Sequence, residues 1–299
     1  MFGPEYIIPF MNESTLFAGF FQGKALEFLN RIIDLCLEED GEDLTSQGIF
    51  SPGNNARAVI LAKQDCIIAG LPVIFPILDK IPGKSSVTFI ASEGEMISSG
   101  QKVAVIRGRA IKILKAERII LNLLSRLSGI ATLTQKFCSR LEGSGVRLLD
   151  TRKTSPGMRY PEKYAVLVGG GENHRLDLES MLMLKDNHID QFGSITGAVH
   201  ALKTAYRPCP PIEVECRSQF DVREAVKAGV QRIMLDNMNI QEMKRALEII
   251  PGDIESEISG RVCLDNVAAL GSLKPTYISS GALTHSAIPI DLSMKIEAS

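Results

Sequence analysis

A chain of 299 residues has material for one large domain or two smaller ones, each with its own core. Its 33 basic and 35 acidic residues leave a net charge of −2, so no broad basic face is expected and bulk nucleic-acid binding is disfavoured. A local basic pocket for a small anion stays open. There is no uninterrupted apolar run of the roughly 20 residues that a membrane-spanning helix needs. The opening MFGPEYIIPFMNEST lacks the basic and long apolar regions of a secretory leader. The six cysteines, Cys36, Cys66, Cys138, Cys209, Cys216 and Cys263, form no CxxC pair and match no zinc spacing. They read as core thiols of a soluble protein in a reducing, cytoplasmic compartment.

In chain order, Ala25–Leu37 places Leu26, Leu29, Ile32, Ile33 and Leu37 at helical spacing. Strand-like runs follow in ARAVILAK, CIIAG, SVTFIAS and KVAVIRG, divided by turn residues. A long helical stretch runs from Ile113 to Arg140, interrupted only by Gly129. The texture then becomes a regular alternation. Apolar runs at 146–150, 181–185, 212–216, 232–236, 254–259 and 276–281 alternate with helix-like stretches such as 194–206, 219–229 and 239–249. Such alternation argues for parallel βαβ units in an open sheet or an incomplete α/β barrel.

Active sites of α/β barrels form at the C-terminal ends of the strands. Here those ends are polar in six consecutive cases. Arg152 and Lys153, Lys185, and the nearby His174-Arg175 offer donors to anions, with Arg presenting a planar fork that matches a carboxylate or phosphate. Glu215 and Asp236 are hard oxygen ligands suited to Mg²⁺ held partly through a phosphate. Ser259-Gly260 and Ser279-Ser280-Gly281 can present hydroxyls and backbone N–H groups to a phosphate. The combination suits a sugar phosphate or polyphosphate substrate. The GGGENH run at 169–174 fits neither the G-x-G-x-x-G nor the P-loop pattern, and no G-x-S-x-G elbow supports a hydrolase nucleophile. His174 and His188 lack the paired spacing of metal-binding histidines.

Taken together, AERIILNLLSRLSGIAT (116–132), DTRKTSPGMR (150–159), GGGENHR (169–175), LKDNH (184–188), IEVEC, IMLDN and YISSGALTHS (277–286) resemble the ordered signatures of quinolinate phosphoribosyltransferases. DLTSQGIF, ARAVILAKQDCIIAGL and GEMISSGQKVAVIRGRA extend the resemblance towards the N-terminus. It implies an α/β chain with an α+β N-terminal sandwich domain (1–115) and an open, incomplete α/β barrel of about seven strands (116–286). The tail 287–299 would pack on the first domain. It also implies conversion of quinolinate and phosphoribosyl pyrophosphate to nicotinic acid mononucleotide, CO₂ and pyrophosphate with Mg²⁺, by a homodimer or higher oligomer whose sites are shared between subunits. On that resemblance Arg152, His174, Arg175 and Lys185 would hold the two carboxylates, and Arg118 would arrive from the other subunit. Lys153 would lie between pyridine and pyrophosphate, and Glu215 and Asp236 would serve the metal and the ribose. Ser259, Gly260, Gly281 and His285 would hold the 5′-phosphate. Arg261 departs from the pattern, standing where another small residue is expected.

Three rivals are weighed against this reading. A related phosphoribosyltransferase for another aromatic acid, such as the branch associated with molybdate-transport operons, would not need the full diacid-binding set. An inactive scaffold would not need Lys153, Glu215 and Asp236. An aldolase or isomerase would use Lys185 as a Schiff-base nucleophile.

Overall fold

The structure, a computed structural model, describes residues 14–297, so the segment read above for a leader lies almost wholly outside the described residues. The elements begin with α1 (Ser14–Phe20), α2 (Gly23–Asp40), α3 (Leu44–Ile49), β1 (Asn55–Ala62), β2 (Cys66–Ile67), α4 (Ile74–Asp79), β3 (Ser85–Phe89), β4 (Met96–Ile97), β5 (Lys102–Arg109) and α5 (Ala110–Leu141). Then come β6 (Arg147–Leu149), α6 (Arg159–Val168), β7 (Leu182–Leu184), α7 (Asp186–Phe192), α8 (Ile195–Ala205), β8 (Ile212–Cys216), α9 (Gln219–Ala228) and β9 (Arg232–Asp236). The chain closes with α10 (Ile240–Leu247), β10 (Glu255–Ser259), α11 (Leu264–Gly271), β11 (Tyr277–Ser279), α12 (Ala282–His285) and β12 (Leu292–Glu297).

Two compact units result, one of residues 1–132, 156–169 and 287–299, the other of 133–155 and 170–286. The division differs from a cut at 115/116, because 116–132 and 156–169 group with the first unit. Hydrogen bonds give the reason. Ser128 Oγ accepts from the Ala69 N–H at 3.0 Å and Thr132 Oγ1 from the Ile67 N–H at 2.9 Å, which ties the middle of α5 to the β2 segment. Arg126 on α5 reaches Glu162 on α6 and the Ala287 carbonyl in the tail.

In the first unit an antiparallel sheet runs β12-β1-β5-β3, with Val59 opposite both Val105 and Lys295. The tail strand β12 thus hydrogen-bonds along β1. The stripe of α2 that is buried is Ala25, Leu29 and Ile33, at steps of four, while Leu26 turns outward and is 40 % exposed. Helix α5 continues through Gly129 without a break. Any Cβ there would lie 2.3 Å from the Ile288 carbonyl oxygen, so glycine is what lets the tail cross the helix closely.

The second unit is built on six parallel strands in the order β6-β11-β10-β9-β8-β7. About seven strands are expected from the resemblance. In place of a seventh, Glu172 makes a single parallel bridge to Leu149. The segment before it, Gly169-Gly170-Gly171, has little strand propensity, so the pairing does not extend. Among the described residues the two ends of this sheet do not pair with each other, which leaves it open. Helices between the strands start on side-chain caps: Ser194 for α8, Ser218 for α9 and Asn239 with Glu242 for α10.

A strand sends successive side chains to opposite faces. One face of this sheet carries Val214, Cys216, Ile233, Leu235, Ile258 and Ile278, all fully buried. The other carries Glu213 and Glu215, then Arg232, Met234 and Asp236, then Glu255, Glu257 and Ser259, then Tyr277 and Ser279, held in step by the ladder registers. Parallel strands covered on both faces ordinarily read as continuous apolar runs. Here one whole face is chemistry.

Candidate active site

The basic groups of the site flank the acidic strands. Past β6, Asp150 is fully buried, accepting the His174 N–H at 2.8 Å and Asn173 Nδ2 at 2.7 Å. This anchors the stretch that bears Arg175 next to the stretch that bears Arg152. Arg175 donates from Nη1 to the Met181 carbonyl at 3.1 Å. Burial, and then the positive charge of Arg152, hold the Arg175 guanidinium below its usual range, against the pull of Glu213 and Glu215. Arg152 keeps its Nε buried with no hydrogen-bond partner. Two arginines whose charges repel, one of them with a buried donor unpartnered, form a site that an anion would complete. Lys185, at the end of β7, pairs with Glu215 Oε1 at 2.8 Å, and its N–H is taken by His188 Nδ1 at the start of α7.

Beneath these groups lies a buried acid pair. Glu213 and Glu257 are both fully buried, and burial raises their carboxyls to about 7 and about 8 respectively. Arg232 and Arg175 oppose the rise for Glu213, and His174 and Arg232 oppose it for Glu257. His174 is only 6 % exposed, and its Nε2 lies 3.0 Å from Glu213 and 3.6 Å from Glu257. The histidine expected among the carboxylate-binding residues therefore turns its ring into the protein. Glu257 was not singled out from the sequence. The signal that could have found it is the E-x-E spacing inside a strand of a parallel sheet, repeated in 213–215 and 255–257.

Past the ends of β6 and its neighbour β11, Lys153, Gly281 and His285 converge. A Cβ at Gly281 would lie 2.9 Å from Lys153 Cδ and 3.1 Å from His285 Cδ2. Thr284 Oγ1 bonds the Lys153 carbonyl at 2.9 Å, which fixes the two loops together. Ser279 Oγ donates to Ser259 Oγ at 3.0 Å, joining the ends of β10 and β11. Gly260 has φ +91°, and a Cβ there would meet Asn237 Oδ1 at 2.5 Å and the Asn237 backbone nitrogen at 2.8 Å, so only glycine fits. Asn237 Nδ2 in turn donates to Asp236 at 2.8 Å. Arg261 is exposed in a left-handed conformation, φ +52°, its carbonyl held by Asn266. Arg118 lies on α5 in the first unit and is exposed.

Other features carry less chemistry. A groove of about 610 Å³ lies at the N-terminal ends of β10 and β11, lined by Lys244, Lys274, Ser256 and Thr276. It is at the wrong end of the strands for a βα-loop site. All six cysteines are free, and burial raises the thiols of Cys66, Cys138 and Cys216, the first to about 11, which removes them as ready nucleophiles. Among the described residues no helix is long and apolar enough to cross a membrane.

Comparison with known proteins agrees with this geometry. The family described as "Quinolinate phosphoribosyl transferase, C-terminal domain" matches residues 130–295, and its N-terminal-domain counterpart matches 43–128. A probable carboxylating nicotinate-nucleotide pyrophosphorylase of Bacillus subtilis (strain 168) is 40 % identical over 267 residues, covering 88 % of this chain and 91 % of that one. The chloroplastic carboxylating nicotinate-nucleotide pyrophosphorylase of Oryza sativa subsp. japonica is 37 % identical over 290 residues, covering 90 % and 78 %. Among solved structures, NadC from Streptococcus pyogenes superposes with a TM-score of 0.85 at 36 % identity, covering 92 % of this chain and 97 % of that one. With both domain families matched in order, and relatives aligned over most of their length, the chain belongs to the quinolinate phosphoribosyltransferase family.

Proposed function

We infer that the chain transfers the phosphoribosyl group of phosphoribosyl pyrophosphate to quinolinate, releasing pyrophosphate and CO₂ and leaving nicotinic acid mononucleotide for NAD synthesis. The observation that carries the choice of a diacid is the mutual repulsion of Arg152 and Arg175, with an unpartnered Nε on the former, together with Lys185 at the end of β7. A monoacid such as nicotinate would leave part of that charge unanswered. The ion pair of Lys185 with Glu215 also argues against a Schiff-base role for this lysine.

Arg152, Arg175 and Lys185 hold the two carboxylates and so set the pyridine nitrogen in line with the anomeric carbon of the ribose. Ser259, Gly260, Gly281 and His285 hold the 5′-phosphate, and Lys153, beside Gly281, takes the charge that builds on the departing pyrophosphate. The C–O bond to pyrophosphate breaks as the pyridine nitrogen donates its pair to the anomeric carbon. The ring is then cationic, so the adjacent carboxylate leaves as CO₂. Its electron pair stays on the ring carbon, which takes a proton from solvent. Glu215 and Asp236 face the positive charge that develops on the sugar. They are hard oxygen donors on adjacent strands, both half-buried, a set that fits Mg²⁺ sharing its shell with water and phosphate oxygens. When bound, the ion supplies neutralising charge for the pyrophosphate. Incubation with quinolinate, phosphoribosyl pyrophosphate and Mg²⁺ is expected to give mononucleotide and CO₂ in equal amounts, with none formed when the metal is chelated. Turnover of nicotinate in place of quinolinate would refute the substrate.

The working form is a homodimer in the cytoplasm, and its six thiols suit a reducing compartment. Arg118 completes the carboxylate cluster of the second copy. Arg118→Ala and Lys153→Ala proteins, each inactive alone, are then expected to regain about a quarter of wild-type activity when subunits are exchanged, since half the dimers are mixed and each holds one intact site. Absence of any recovery, with subunit exchange confirmed by mass, would place Arg118 in its own subunit's site or outside the chemistry.

A further inference from the structure

Three buried carboxylates from three strands converge on one short piece of backbone. Asp150 holds the His174 N–H and the Asn173 side chain. Glu213 on β8 and Glu257 on β10 face the ring of His174 from below. The ring's other nitrogen, Nδ1, accepts the Arg175 N–H at 2.8 Å. A nitrogen that accepts carries no proton, so the neutral ring bears its proton on Nε2, the atom that lies 3.0 Å from Glu213 and 3.6 Å from Glu257. The contacts therefore run from Glu213 and Glu257, through the imidazole, to the backbone of Arg175. One ligand atom from each of His174, Glu213 and Glu257 lies within 4.8 Å of the other two, a spacing that would also admit a metal ion. Positive charge is already supplied, however: Arg232 Nη1 is 3.6 Å from Glu257, and the Arg175 guanidinium acts on Glu213. Burying two acids side by side is costly where apolar residues of similar volume would pack. A purely structural filling of this layer would not need them.

We propose that Glu213 and Glu257 are positioning residues for substrate recognition: by fixing the ring of His174 they fix the course of the backbone into Arg175, and so the grip on the pyridine dicarboxylate, without touching it. The proposal rests on the reading of Arg175 as a carboxylate-binding group. Glu213→Leu and Glu257→Leu remove the acceptors, whereas Glu213→Gln and Glu257→Gln keep an amide oxygen for Nε2–H. The Leu variants are expected to raise KM for quinolinate about tenfold or more, with kcat and KM for phosphoribosyl pyrophosphate within about twofold of wild type. The Gln variants stay within about threefold on all three constants.

An unchanged quinolinate KM in folded Leu variants, or a parallel rise for both substrates, overturns the proposal. Should the Leu variants fail to fold, nitrogen-15 histidine spectra of the wild-type protein decide, with only four histidines to assign. A slowly exchanging Nε2 proton on His174 that shifts when quinolinate is added supports the proposal. An Nδ1–H tautomer, or no response, overturns it. Arg175→Ala run in parallel separates the two levels: if its quinolinate KM is also unchanged, the reading of Arg175 itself falls.

Discussion

Arg175→Ala is expected to lower kcat/KM for quinolinate by roughly a thousandfold, while the thermal midpoint of the free protein stays level or rises slightly. The first half follows from two charge-assisted hydrogen bonds to one carboxylate. At about 1.5–3 kcal/mol each these amount to roughly 3–6 kcal/mol, or about two to four decades in rate constant. The second half follows from the environment of the guanidinium. Burial and the charge of Arg152 disfavour the charged side chain more than Glu213, Glu215 and Asp177 favour it. Removing it relieves that repulsion and loses one bond, to the Met181 carbonyl. On the proposed role of Arg175, the free enzyme holds this side chain at a cost that quinolinate offsets. Quinolinate should accordingly raise the thermal midpoint of the wild-type protein and leave that of the variant unmoved. Initial rates across quinolinate concentrations, with thermal scans with and without it, check both halves. A variant that melts much earlier yet keeps its quinolinate KM would make Arg175 a structural residue.

The acidic and basic strand ends were legible because parallel strands must stop where the loops of an α/β unit begin, and polar residues at those joints stand out against apolar runs. Arg152, Lys185, Glu215 and Asp236 all stand at such joints. What lay inside the strands was harder. The run 254–259 reads as a strand on its isoleucines, and nothing in that pattern marks Glu255 or Glu257. Ladder registers put Glu257 opposite Met234 and Tyr277 on one covered face, and only that pairing makes it a partner of His174. Helix α6 was hidden for a different reason. It is ten residues long, and Tyr160 to Val166 are all buried, the charged Glu162 and Lys163 included, so its polar residues do not mark a solvent face. The seventh strand is the converse case: family resemblance supplies it, while among the described residues the glycine run before Glu172 allows one bridge.

Arg126→Met is expected to destabilise the protein by about 3–5 kcal/mol, the largest stability loss among the groups described here, with little effect on rates at low temperature. Arg126 Nε and Nη2 both reach Glu162 Oε1, at 3.0 and 2.8 Å, and Nη1 reaches the Ala287 carbonyl at 3.0 Å. Glu162 has no solvent exposure at all and Arg126 is 20 % exposed, so the carboxylate cannot recover its lost partner from water. Methionine fills a similar volume but leaves that charge buried, and the thermal midpoint should fall by roughly 10 °C. Pairing the change with Glu162→Gln removes the buried charge and should recover a substantial part of the loss. The non-additivity of the pair then measures the coupling directly. Three segments distant in sequence, α5, α6 and the tail, meet at this one guanidinium. Proteolysis near Ala287 should therefore quicken in the single variant before the rest of the chain opens. A double variant no more stable than Arg126→Met would locate the loss in packing of the arginine stem instead of in the ion pair.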